Sequence, residues 1–205
     1  IAVDTETTAL RPTRADLAGI SISGEEGEGN YIPIRSPDAD NHLDEQTVLD
    51  ALRPVLEDAT IPKVGHNIKY DLIVLKRAGV TLRGIVPPGD APDEAGWALA
   101  GDTMIASYLL DASRSSHSMD ALAQALLGRT NVSIKDLIGT GKKQKRFDEV
   151  PLDKAAPYAA EDADVTLRLA RRTLPELRRA GLWELYTTLE MPLVPVLARL
   201  ELNGI

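Results

Sequence analysis

An α/β fold, a mixed β-sheet flanked by helices, is what this sequence predicts, on the strength of three patterns. Short apolar runs of strand length, separated by turns rich in glycine and proline, fill residues 1–34. Two amphipathic helical patterns then bracket one more short apolar run. The remainder is mostly helical, so the order reads β-β-β-α-β-α and then helices, which suits a sheet covered by helices.

The first strand is Ile1-Ala2-Val3-Asp4-Thr5-Glu6-Thr7, an apolar run that ends in two carboxylates separated by one residue. Residues two apart on a strand share a face, so Asp4 and Glu6 converge on one small volume. Without a cation, their repulsion at the end of a low-dielectric sheet would push one pKa up. Taken alone, the same residues also fit a strand that runs into a polar turn. Leu10-Arg11-Pro12 breaks this strand, and residues 16–23 and 30–34 form a meander around the turn Gly24-Glu25-Glu26-Gly27. Residues 44–57 carry Val48, Leu49, Leu52, Val55 and Leu56 at helical spacing, with a kink expected at Pro54. Residues 62–64 make a short strand, and 69–78 an amphipathic helix ended by Gly79. In such sheets ligands gather at the strand ends, where Asp4 and Glu6 stand.

The junction Gly65-His66-Asn67-Ile68-Lys69-Tyr70-Asp71 adds a third carboxylate, with Asn67 one helical turn before Asp71. A purely structural account has Asn67 capping the helix, Asp71 complementing its positive end and Tyr70 packing. His66, with no second histidine or cysteine nearby, reads as a polar loop residue. Residues 86–101, rich in proline, glycine and acid around Trp97, form an excursion outside the core. Helices come next at 103–110 and 118–127, the second capped by Ser118, with the polar loop Arg114-Ser115-Ser116-His117 between them. Lys142, Lys143, Lys145 and Arg146 are the one dense basic cluster, either a solvated loop or the place where a phosphate backbone is held. A long helix at 152–174, with Pro157 marking its start or a kink, puts Tyr158 and Asp162 on one face, one turn apart.

Composition narrows the classes. The chain is long enough for one large domain with a real core, or a domain plus an appendage. Hydrophobic residues are 43% but aromatics only 4%, so aliphatic side chains fill the interior and few rings remain for base stacking. A net charge of -8 argues against a broad basic face that coats nucleic acid, but not against a nuclease whose carboxylates hold cations. With no cysteine, disulfides, thiolate metal sites and cysteine nucleophiles fall away together. No apolar stretch approaches the ~20 residues of a membrane span, and the N-terminus lacks an export signal. A start at Ile1, already inside a strand, suggests a piece of a longer chain.

Asp4-Thr5-Glu6, Asn67 to Asp71, and Tyr158 with Asp162 together resemble, in order and spacing, the three motifs of the DEDD superfamily of 3′-5′ exonucleases, in its tyrosine subgroup. The histidine subgroup would place histidine where this chain has Pro157. Gly65 to Leu72, Asp102-Thr103-Met104, Tyr158 to Leu167 and Met191 to Leu197 further resemble the proofreading domain of the bacterial polymerase I family. On that resemblance residues 1–190 are the exonuclease domain and residues 191–205 begin the segment leading into a polymerase domain. Two departures stand out: the stretch 86–101 is longer than the usual link, and His66 replaces a glutamine-like residue.

The resemblance implies a ribonuclease H-like fold. It implies that Asp4, Glu6, Asp71 and Asp162 hold two Mg²⁺ or Mn²⁺ ions for an in-line displacement, with Tyr158 orienting the nucleophilic water. Thr7, Leu10, His66, Asn67, Tyr70, Met104 and Arg114 match positions around the terminal nucleotides. The implied partners are a single-stranded DNA 3′ end and the polymerase domain of the same parent chain, which would be a cytoplasmic monomer. Two rivals remain: an RNA 3′-processing exonuclease with the same metal chemistry, and a non-catalytic scaffold of the same fold.

Overall fold

A computed structural model describes residues 1–88 and 97–205 of the chain. Its sheet has five strands: β1 (Ala2–Thr7), β2 (Leu17–Ser23), β3 (Asn30–Pro33), β4 (Val64–Gly65) and β5 (Gly101–Asp102), in the order β3-β2-β1-β4-β5. The first three form the expected antiparallel meander, while β4 and β5 run parallel to β1. The fold class is therefore as the sequence predicts. Strand β5 is the exception: it falls at the end of the expected excursion, and two residues are too few to show an alternating pattern. Of that excursion, residues 89–96 lie outside those described.

The helices are α1 (Glu45–Leu56), α2 (Ile68–Arg77), α3 (Thr103–Leu110), α4 (Met119–Leu122), α5 (Ile134–Ile138), α6 (Leu152–Arg179), α7 (Trp183–Leu185) and α8 (Met191–Leu202). Helix α1 runs through Pro54, which sits in its last turn. Ser118 caps α4 as read, its Oγ accepting from Ala121 N, and a π-helical turn at Ala123–Leu127 completes that segment. Helix α6 contains Pro157 and continues five residues past Leu174, through Pro175, to Arg179. Its 28 residues span about 42 Å at 1.5 Å per residue.

That length lets α6 cross the sheet over β1, β2 and β3 and bury Leu167, Ala170, Leu174 and Leu177 against Ala2, Val3 and Ile20. Helix α2 lies at β1 and β4, with α8 against it. Two glycines permit the close layering. The Tyr31 ring occupies the space where a Cβ of Gly19 would stand, and the carbonyl of Ala160 on α6 occupies that of Gly29. Fully burying each large aliphatic side chain is worth roughly 1.5–3 kcal/mol, so α6 is fixed by its apolar stripe rather than by its polar residues.

Candidate active site

Strand parity does bring Asp4 and Glu6 to one face, and α6 lowers Asp162 onto the same spot. One carboxylate oxygen from each lies within 4.8 Å of the others. Burial dominates their electrostatics, and the charges acting on them are mainly one another. The Asp4 carboxyl is pushed up to about 6 by burial. Glu6 is raised well above the usual range by burial and then by Asp4, Asp162 and Asp71. Burial and the Asp4 charge also raise Asp162, against the opposing influence of the Tyr158 hydroxyl. Converging oxygen donors that repel each other, with no cationic side-chain partner among the described residues, fit a hard divalent cation, and such an ion would bring them back to full ionisation.

Asp71 reaches this group differently. Strand β4 pairs with β1 only at Ala2 and leaves the sheet after Gly65, so β1 has an open edge at Thr5. Asp71, in the first turn of α2, fills that edge: its Oδ1 accepts from Thr5 N at 2.9 Å and from Thr5 Oγ1 at 2.6 Å. Burial and then Asp4 raise its pKa, while these two bonds lower it.

The start of α2 corrects one expectation. Asn67 occupies the N-cap position, but its side chain caps nothing, because its backbone is left-handed at φ 61°. A positive φ is uncommon for any residue with a side chain, asparagine being the best tolerated. The cap comes instead from Asp102, at the end of β5. Asp102 Oδ1 accepts from Asn67 N at 3.1 Å and from Met104 N at 2.8 Å, and Oδ2 accepts from Ile68 N at 2.8 Å. One carboxylate thus starts both α2 and α3 and holds the strained turn before Asp71.

A cleft of about 450 Å³ opens from Glu6 and Tyr158, between the Thr7–Leu10 loop on one side and residues 134–147 on the other. Tyr158 packs against Phe147, and its hydroxyl is raised by burial and the Asp162 charge, so it stays protonated. Tyr70 braces the opposite wall: its hydroxyl donates to Ala9 O at 2.6 Å and is hydrogen-bonded to Thr7 Oγ1. Leu10 is 92% exposed at the mouth, a position that burial cannot explain.

Of the residues singled out from the sequence, Glu6, Thr7, Leu10, Tyr70 and Tyr158 line this cleft, whereas Asp4, Asp71, Asp162, His66, Asn67, Met104 and Arg114 do not; Asp4 and Asp162 are joined to it through Glu6, with which they cluster. His66 is mostly buried, with Nδ1 2.8 Å from Thr103 Oγ1, and its pKa is lowered mainly by burial. Met104 lies in the first turn of α3, and Arg114 lies 3.9 Å from the Asp111 carboxylate.

A family model for 3′-5′ exonucleases matches residues 1–178. The chain belongs to this exonuclease family. It is 43% identical to DNA polymerase I of Pseudomonas aeruginosa over 209 aligned residues, and 39% identical to that of Rhizobium leguminosarum over 224. Both alignments cover all of this chain, which spans about a fifth of each relative: 21% of their length. The exonuclease also superposes on a solved structure of Pol1 from M. smegmatis in complex with DNA primer-template and dNTP, with TM-score 0.69 and 25% identity. That match covers 99% of this chain and 28% of the other. Brucella melitensis NrnC with bound Mg²⁺ shares the fold, with TM-score 0.69 and 24% identity over 99% of this chain and 85% of its own. The ribonuclease H-like exonuclease fold expected from the motifs is the one present.

The candidate site also contains residues that sequence reading passed over. Thr5, between the two acids, faces the other way and holds Asp71. Asp102 before a helical run is a cap signal that could have been read, but its second role at α2 requires knowing that β5 lies beside β4. Ile134, Ile138 and Phe147 form the apolar wall of the cleft, from a region that the sequence presents as a basic loop.

Proposed function

We infer that this chain is the proofreading exonuclease of a DNA polymerase I, removing nucleoside 5′-monophosphates from single-stranded DNA 3′ ends. The observation that carries this reading is the cluster of Asp4, Glu6 and Asp162, of which Glu6 lines an open cleft, with the Tyr158 hydroxyl beside Asp162. Asp4, Glu6, Asp71 and Asp162 would hold two divalent ions, Mg²⁺ or Mn²⁺. Bound there, the ions would acidify a water and stabilise the charge on the departing 3′ oxygen.

The chain's own residues supply position. Thr5 and Asp102 fix Asp71 from both ends, so its carboxylate is held without rearrangement. Tyr158, protonated at any working pH, is a hydrogen-bond donor and acceptor that orients a water and not a base that ionises it. Leu10, exposed on a loop that Tyr70 braces, is placed to support a base, and Thr7 lies beside it. Met104 would support a base as Leu10 does, and Asn67 and Arg114 would bind sugar or phosphate of the terminal nucleotides, with His66 next to Asn67. Residues 191–205, mostly α8, lead toward the polymerase domain of the parent chain. Leu193, Val196, Leu197 and Leu200 of that helix are partly exposed, as expected of a face that another domain covers.

The test compares 3′-labelled DNA and RNA strands, with Mg²⁺ and with chelator, for the wild type and for Asp4→Ala with Glu6→Ala. Nucleoside monophosphate is expected from DNA with metal only, and from the double variant not at all. Preferential release from RNA would replace the substrate, and metal-independent release would remove the assignment.

A further inference from the structure

Lys145 stands at the rim of the catalytic cleft, and among the described residues it has no acid within ion-pairing distance. Its neighbour Arg146 differs. The guanidinium of Arg146 is engaged by both carboxylate oxygens of Asp148, and its backbone N–H donates to Glu149 Oε2 at 2.7 Å. The loop that carries the two is anchored: Lys145 N donates to Ile138 O at 2.8 Å, which ties it to the end of α5. Gly139 and Gly141, both at positive φ, turn the chain so that Ile138 and Lys145 face the same cleft.

A cation near acids is favoured electrostatically, but among the described residues none of them fixes this one in an ion pair. The chain carries a net charge of -8, and Glu6, which lines the cleft, clusters with Asp4 and Asp162. An exposed lysine gains little from distant acids across water, so its position is not explained by an internal ion pair. A polyanion entering the cleft would meet it. On the exonuclease reading the carboxylate cluster at Glu6 would take the scissile phosphate and the apolar wall of Ile134, Ile138 and Phe147 the nucleoside, which leaves the rim for the strand to cross on its way out.

We propose that Lys145 is a phosphate-binding residue that holds a phosphodiester upstream of the scissile one. Arg146, pinned by Asp148, shapes the loop. The ligand is thus a backbone phosphate of the same single strand, sequence is not read, and the contact acts on binding and not on bond cleavage. This proposal rests on the exonuclease reading above and adds a substrate subsite to it.

Two substrates separate the subsite from the chemistry. An oligothymidylate has upstream phosphates; the p-nitrophenyl ester of thymidine 5′-monophosphate has a scissile phosphodiester and none upstream. For Lys145→Met with Mg²⁺, KM on the oligonucleotide is expected to rise about three- to five-fold with kcat nearly unchanged. The slope of log(kcat/KM) against log salt should flatten by about 0.7, one phosphate contact on a single strand. Lys145→Arg should restore both, and hydrolysis of the nitrophenyl ester should be the same in all three proteins. An unchanged oligonucleotide KM, or equal losses on both substrates, would overturn the proposal while leaving the exonuclease reading intact. A wild-type protein that cleaves neither substrate would overturn both.

Discussion

Asp102→Asn is a one-atom substitution that tests how the candidate catalytic carboxylates are held in place. The asparagine keeps Oδ1, and with it the bonds from Asn67 N and Met104 N at 3.1 and 2.8 Å. It replaces Oδ2 with an amide that points a donor at Ile68 N–H, where the native oxygen accepts at 2.8 Å. Ile68 is fully buried, so no water can take over the orphaned group. Losing one charge-assisted bond and leaving a buried donor costs about 3 kcal/mol. For a chain of this size each kcal/mol is worth about 2–4 °C, so the melting temperature should fall by roughly 6–12 °C. The first turn of α2 carries Asp71, whose carboxylate is fixed at its other end by Thr5. Loosening that turn should lower kcat on single-stranded DNA about 10- to 100-fold at temperatures where the variant is fully folded. Differential scanning calorimetry and single-turnover cleavage measure the two effects. Asp102→Ala, which removes every bond, must melt lower still. A variant that melts close to wild type would show that the Ile68 bond contributes far less than this; a large melting shift with full kcat would show that the strain never reaches Asp71.

Tyr158→Phe keeps the ring on Phe147 and removes only the hydroxyl, so turnover should drop about 10- to 100-fold while Mn²⁺ affinity by calorimetry stays near wild type. Equal turnover would reduce Tyr158 to packing. Metal binding should release protons in a pH-dependent way. Asp4 titrates at about 6 in the metal-free protein, against 3.8 for a free side chain, so near pH 6 it is partly protonated and an incoming cation must displace that proton. Protons compete with metal below that pH, and Mn²⁺ affinity should therefore rise as pH increases through about 6. Calorimetry in buffers of different ionisation enthalpy should count more protons released near pH 6 than in mildly alkaline buffer. No release near pH 6 would mean that the carboxylates are already ionised.

The acidic strand tip and its partner helix are legible from the order of residues alone. Period two puts Asp4 and Glu6 on one face, and a spacing of four puts Tyr158 and Asp162 on another, because each pair lies within one element whose geometry is local. The meander, α1, α3 and the Ser118 cap are legible for the same reason. Local pattern could not decide what depends on neighbours distant in the chain. Asn67 looks like a helix cap, yet it is left-handed and a carboxylate 35 residues away does the capping. Strand β5, only two residues long, exists because β4 offers it an edge. Thr5 holds Asp71 only because β4 leaves the sheet early and opens the edge of β1. The basic loop reads as a solvated charge run until the chain reversal at Gly139 and Gly141 brings Lys145 to the cleft that Tyr158 and Glu6 also face. Hydrogen-bond partners and cleft walls are set by which elements pack together, and that choice belongs to the buried apolar stripe of α6 and the sheet order, not to the polar residues that use it.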